Sequence, residues 1–210
     1  MQSRVRVGKK GIRALGVAES FRKRLGSRAV LAGVVMRSDL LVDGFVFGAC
    51  TVGGMDSTEA VLEMWQRLGR MDINVVLLSG SVISWFNVVD LNKLHQTIGT
   101  PLICLSYRDS RGLEEVFRRR FPSDWEQRLS VHLRNGERSD VVLKTGYKVY
   151  VRCFGLLPTD AKTVLDKFTV DGRFPEPVRL AKLLARGALN YLEPFLGSES
   201  GFADVGRETT

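Results

Sequence analysis

Residues 56–78 read DSTEAVLEMWQRLGRMDINVVLL, and this stretch decides the fold class. Asp56 stands where a helix needs a capping acceptor, and Glu59, three positions on, can reach back to the cap. Val61, Leu62, Met64, Trp65 and Leu68 follow at near-helical spacing and give the helix one apolar face. The next apolar run, Ile73 to Leu78, is continuous rather than alternating. Such a run suits a strand buried on both faces of a parallel sheet. The stretch therefore reads as a helix feeding a parallel strand.

Upstream, residues 12–18, Ala29 to Met36 and Leu40 to Val52 are strand-like and joined by short links. Links that short favour an antiparallel meander. Downstream, the pattern predicts a helix from Asn87 to Ile98, a buried strand from Pro101 to Ser106, and helical segments over Gly112 to Phe121 and Asp124 to Leu133. A hairpin follows (Val141 to Leu143, Tyr147 to Phe154), turned at Thr145-Gly146. Pro158 opens one helix, and Pro175-Glu176-Pro177 opens the last, to about Leu192. Residues 1–11 form a basic arm, 12–196 one domain, and 197–210 a tail rich in Gly, Ser and acid, expected to be disordered.

This order predicts an α/β fold with a mixed sheet: a three-stranded antiparallel meander, then parallel βα units, with helices on both faces. It is the order of the RNase H-like fold, and a doubly wound sheet is the main rival. Net charge is +8, which suits contact with phosphates. Cys50, Cys104 and Cys153 lie in apolar stretches with no metal-ligand spacing, so they read as reduced and buried, in keeping with a cytoplasmic setting. No apolar run reaches membrane-span length. His95 and His132 are the only histidines, so no histidine metal cluster and no metal ligand is assigned.

Five segments, taken in order, carry a resemblance: Ile12-Arg13-Ala14-Leu15-Gly16-Val17, Gly54-Met55-Asp56-Ser57-Thr58-Glu59, Phe86-Asn87-Val88-Val89-Asp90, Thr100-Pro101-Leu102-Ile103 and Pro175-Glu176-Pro177-Val178-Arg179-Leu180-Ala181. Together they resemble the archaeal endonuclease dU family, related to endonuclease V, over roughly residues 11–195. The resemblance implies an RNase H-like fold, Mg²⁺ or Mn²⁺ in active relatives, and DNA repair by cleavage of DNA containing uracil or another deaminated base. It also implies acidic positions that this chain has replaced. Ala18 and Glu19 stand where the family has two aspartates, Ser79 where it has an aspartate before glycine, and Lys182 where it has a histidine. Neighbours on a strand point to opposite faces, so Glu19 projects away from residue 18.

The remaining candidates each admit two readings. Asp56 is a helix cap or a metal ligand or base. Asp90, in the first turn of its predicted helix, favours the helix dipole or joins Asn87 in a polar cluster at the site mouth. Trp85 and Phe86 pack in the core or stack on an extruded base. Gly53-Gly54 makes a plain turn or offers N–H groups to an anion. Arg179, Lys182 and Arg186 recur at helical spacing and form a solvated face or a phosphate-binding one. The resemblance points to a nucleic-acid-binding chain with a degenerate metal site and weak or no cleavage. An active endonuclease using Glu19, Asp56 or Asp90, and a non-catalytic interaction subunit, stay open.

Overall fold

The structure is a computed structural model that describes residues 11–24, 27–108 and 112–196. The expected arm and tail therefore fall almost wholly outside the described residues. Three strands open the fold: β1 (Arg13–Ser20), β2 (Arg28–Arg37) and β3 (Val42–Thr51), paired antiparallel in sequence order. Helix α1 (Ser57–Leu68) leads to β4 (Val75–Ser79), which pairs parallel to β1. Helix α2 (Leu91–Ile98) leads to β7 (Leu102–Ser106), parallel to β4. A small antiparallel hairpin, β5 (Val82–Ile83) and β6 (Asn87–Val88), sits between β4 and α2. Then come α3 (Leu113–Arg120), α4 (Trp125–Arg134), the hairpin β8 (Ser139–Val142) and β9 (Lys148–Phe154), α5 (Pro158–Phe168) and α6 (Glu176–Leu196).

The main sheet has the order β3-β2-β1-β4-β7-β9-β8. Its mixed pairing follows the meander-plus-βα reading and excludes the doubly wound alternative. The late hairpin extends this sheet, because β9 pairs antiparallel with β7. Core side chains lie on both faces. Leu15, Val17 and Leu78 pack toward α1 and α2, while Ala14, Leu77 and Val151 pack toward α5 and the start of α6. That is why β1 and β4 read as continuous apolar runs.

Helix α6 buries Val178, Ala181, Ala185 and Leu189, one stripe at helical spacing, against β1 and β2. Gly16 lets it approach: a Cβ there would stand 2.3 Å from the carbonyl carbon of Pro177.

The boundary that differs most in consequence from the sequence reading is the start of α2. The helix expected from Asn87 starts at Leu91, and Asn87 belongs to a short strand. Ser84, Trp85 and Phe86 take positive φ values of 43°, 58° and 72°. This left-handed turn folds the chain back into a hairpin before α2 can begin. Asp90 is consequently the N-cap of α2, not a residue of its first turn, and its carboxylate accepts from the Lys93 amide.

Candidate functional site

The site lies where β1 and β4 end. Val17 pairs with Leu78, so Ala18 and Ser79 stand side by side one residue further on. Their adjacency is as expected, but neither supplies an acid. Ala18 is buried against Val34 and Ala181 beneath α6. Ser79 is partly buried and precedes Gly80, whose φ of 93° turns the chain out of the strand.

Glu19 points to the other face of the sheet. Its Oε2 is buried and has no hydrogen-bond partner. Burial raises its pKa above the usual carboxylate value; the Ser84 backbone N–H, which it accepts, and the charge of Lys182 oppose that shift without cancelling it. Lys182 itself is exposed on α6. Residues 18, 79 and 182 therefore carry a methyl, a hydroxyl and an ammonium group, none of which is a carboxylate ligand for a divalent cation.

Asp56 joins the same region through a chain of bonds. The Cys50 thiol donates to Ser84 Oγ at 3.2 Å, and the next residue, Thr51, is held by Asp56. The Asp56 carboxylate accepts the Thr51 N–H at 3.0 and 3.1 Å, the Thr51 hydroxyl at 2.8 Å and the Asn87 amide at 2.7 Å. Burial opposes ionisation, but these bonds outweigh it and hold Asp56 below its ordinary value. Arg28 stands 3.5 Å away. Although Asp56 occupies the N-cap position of α1, its side chain makes no cap bond. Glu59 does not close a capping box either: it pairs with Lys93 of α2. Burial, with Asp56 and Glu19 nearby, pushes the Cys50 thiol up to about 11 against the Ser84 bond and Arg28, so it is protonated at neutral pH.

Asn87 is fully buried. It donates to Thr51 O and Asp56, and accepts from the Ser57 N–H. Every polar atom of the Asn87 side chain, expected at a nucleic-acid contact, is engaged inside the fold. Asp90 is likewise engaged, by the Lys93 amide and by Arg134 at 3.1 Å, and it meets α1 only through its own N–H on Thr58. Glu19 and Asp56 thus share one network, and Asp90 stands outside it. Among the described residues no three His, Cys, Asp or Glu side chains are grouped to hold a metal ion. The side chains present do not fit the divalent pair that the resemblance implies.

The Gly53-Gly54 turn is a plain one. Gly53 N–H donates to Ser84 O, and Gly54 N–H to Thr51 O. Phe86 sits edge-on to Phe117 and Phe121, and Trp85 packs on the core with the Arg120 guanidinium 5.7 Å from its ring. Both rings are partly buried by these contacts.

Two features escaped the sequence reading. Arg128, almost fully buried, donates to Gly53 O, Gly54 O and Phe86 O and forms a two-pronged pair with Asp124. It clamps the turn before α1 to the left-handed turn. The spacing of Asp124 and Arg128 at i,i+4 was the available signal. The second feature is a basic group at the ends of β4 and β7. Arg152 Nη1 stands 3.3 Å from Ser81 Oγ, and Arg138 Nη1 stands 3.4 Å from Ser106 Oγ. Burial, and then Arg138, lower the Arg152 pKa, partly offset by Cys104. No carboxylate pairs with Arg152 among the described residues.

On α6, Arg179, Lys182 and Arg186 are exposed as expected, but Arg179 forms a two-pronged pair with Glu176 at 2.6–3.0 Å. Part of that face's charge is thereby offset.

A family model for endonuclease dU matches residues 10–189. The chain belongs to the endonuclease dU family. A UPF0215 protein of Pyrobaculum calidifontis is 37% identical over 179 residues, covering 85% of this chain and 97% of that protein. A solved protein of unknown function from Archaeoglobus fulgidus is 26% identical with a TM-score of 0.72, over 84% of this chain and 98% of its own. Endonuclease V of Ciona intestinalis, solved with DNA containing an inosine followed by a ribo-adenosine, has a TM-score of 0.59 at 15% identity over 87% of each chain. The fold is RNase H-like.

Proposed function

We propose that this member of the endonuclease dU family binds nucleic acid, DNA first, and cleaves it weakly or not at all. One observation carries the reading. At the paired ends of β1 and β4 the chain has Ala18 under α6 and Ser79, while Lys182 brings positive charge to Glu19. A two-metal mechanism must hold its cations about 3.5–4 Å apart between acidic ligands to clamp the attacking and leaving oxygens. Glu19 and Asp56 alone do not make that clamp, and Asp90 is already bonded elsewhere.

The positive charge supports binding. Net charge is +8, Arg152 and Arg138 stand at the C-terminal ends of the central strands, and Lys182 and Arg186 are exposed nearby on α6. Ligands of open α/β sheets gather at such strand ends. The three free cysteines agree with a reducing, cytoplasmic setting. The DNA-bound relative of the same fold makes DNA the first partner to test.

The test has two arms. Anisotropy titrations with labelled single-stranded DNA, duplex DNA and RNA, repeated across salt, should give binding that weakens steeply as salt rises. No binding to any of them at low salt would move the assignment to an interaction subunit. Nicking assays on uracil-containing DNA with Mg²⁺ or Mn²⁺ should give little or no product from the natural chain. Ala18→Asp, Ser79→Asp and Lys182→His combined should raise divalent-metal affinity. Robust metal-dependent nicking by the natural chain would overturn the reading and favour an active enzyme built on Glu19 and Asp56.

A further inference from the structure

We propose that β3 is a self-association edge: two copies pair antiparallel through Phe45 and Phe47, about a two-fold axis at Val46, and join their sheets. This surface is separate from the candidate site, and the proposal does not depend on the nucleic-acid reading.

The argument begins with the strand's own hydrogen bonds. β3 is the last strand on its side of the sheet. Val52 N–H donates to Ser27 O at the end of the β2–β3 ladder. With Cys50 opposite Ala29 and Gly48 opposite Leu31, the even residues turn their N–H and C=O toward β2. The odd residues turn theirs outward. Four of those outward groups, toward the two ends of the strand, are answered by side chains. Thr51 N–H meets Asp56, and Thr51 O meets Asn87. Ala49 O accepts from Arg28 at 3.0 Å, and Asp43 O accepts from Arg70 at 2.7 Å. Between these two arginines, the N–H and C=O of Phe45 and Phe47 have no partner among the described residues.

The side chains repeat the pattern. Gly48 faces Met64 of α1, and Val46 packs on the same core, so Phe45 and Phe47 project from the other face. There α6 lies over β1 and β2 and leaves β3 largely uncovered. Phe45 is 61% exposed and Phe47 40%, with their rings edge to face at 6.4 Å. Leu41 and Val42 continue the apolar surface. Exposed edge strands are normally guarded by Lys, Pro or an inward charge. The strand's one charged residue is Asp43, at the bulged end opposite Val35/Met36, and it has neither Lys nor Pro.

A second copy fits this edge better than an unrelated strand, because the free groups are symmetric about Val46. Two-fold pairing sets Phe45 against the partner's Phe47, and the reverse. Each such pair exchanges two N–H···O bonds, so all the open groups of both residues are used. The four rings then lie on one face as cross-strand aromatic neighbours. In the same register Asp43 faces Ala49 of the other copy. There Ala49 O is held by Arg28, and Asp43 is held on its own copy by Arg13 and Arg70, so the ends of the interface are closed by side chains and the open groups lie between them. An isologous contact of this kind closes on itself.

The test uses the full chain. Sedimentation across the micromolar range should show a monomer–dimer equilibrium. Phe45→Lys with Phe47→Lys sets like charges opposite each other and should weaken the dimer at least about tenfold. Phe45→Glu with Phe47→Lys sets Glu against Lys twice and should keep the dimer. Thermal unfolding checks that both variants fold. On the natural chain, amide exchange at Phe45 and Phe47 should slow as concentration rises, which needs no substitution. A natural chain that stays monomeric to high micromolar concentration overturns the proposal and leaves the edge to another partner. Equal weakening by the two double variants overturns the register and the proposal with it.

Discussion

Replacing Glu19 by Gln should stabilise the protein at neutral pH, and the gain should vanish in acid. Glu19 keeps one oxygen on the Ser84 N–H and buries the other without a partner. Burial raises its pKa from 4.5, so the folded state binds this proton more tightly than the unfolded state does. The sign follows from proton linkage. Stability is greatest below the unfolded value, falls as pH rises from there toward the raised folded value, and is flat above it. An unsatisfied buried acceptor costs about 1–3 kcal/mol, more when charged. Gln keeps the oxygen for Ser84 but places an unpartnered amide near Lys182, so only part of that cost returns. The expected gain at pH 7 is about 1 kcal/mol, a rise of about 2–4 °C in melting temperature. Urea titrations of both proteins from acid to neutral pH measure it directly. The curves should coincide below the unfolded value and separate above it. If the Gln variant is instead less stable at neutral pH, Glu19 is ionised and held by Lys182 as a net favourable pair. The argument for a cation-poor site would then lose its electrostatic basis.

Three further outcomes are expected. Asn87→Ala removes three buried hydrogen bonds and should cost about 2–4 kcal/mol in urea titrations; a cost near zero would mean that the Asp56 network is not what joins β3, α1 and β6. Arg179→Glu and Arg186→Glu should each flatten the salt dependence of DNA binding by about 1 in slope, with the smaller effect at Arg179 because Glu176 already offsets it, and an unchanged slope would place the interface elsewhere. Gly16→Ala should destabilise by about 1–3 kcal/mol or more, read as a lower melting temperature, because α6 cannot keep its seat with a methyl 2.3 Å from Pro177.

The sheet was legible in the sequence because its chemistry is one-dimensional. β4 and β7 are buried on both faces, so they appear as unbroken apolar runs, and short links between β1, β2 and β3 leave antiparallel pairing as the simple choice. The start of α2 was not legible. Ser84, Trp85 and Phe86 adopt a left-handed conformation that costs about 1–2 kcal/mol per residue, and no glycine marks it. Contacts distant in sequence hold it there: Gly53 on Ser84, Arg128 on Phe86, and the Phe117 and Phe121 rings. Asp56 misled in the same way. Its place before α1 is that of a cap, but the outward N–H of Thr51 on an edge strand is a closer claimant for its carboxylate. Only the pairing of strands reveals that competition.

On the proposed reading, the replaced acidic positions are bound up with how α6 sits. Gly16 and Ala18 alternate on the face of β1 that meets α6, and the helix descends on them with Pro177 and Ala181. A carboxylate at residue 18 would be buried between Val34 and Ala181, where its charged form is disfavoured without a cation. Lys182 follows Ala181 on the same helix, so its charge reaches the end of β1 only while the helix lies this close. Small residues at 16, 18 and 181 and a lysine at 182 are thus parts of one packing arrangement. Clustered carboxylates repel one another unless a metal binds, so replacing them relieves a cost that only catalysis requires. A single restored aspartate would meet the closed helix before it met a metal, which is why regain of metal binding calls for changes on β1, β4 and α6 together.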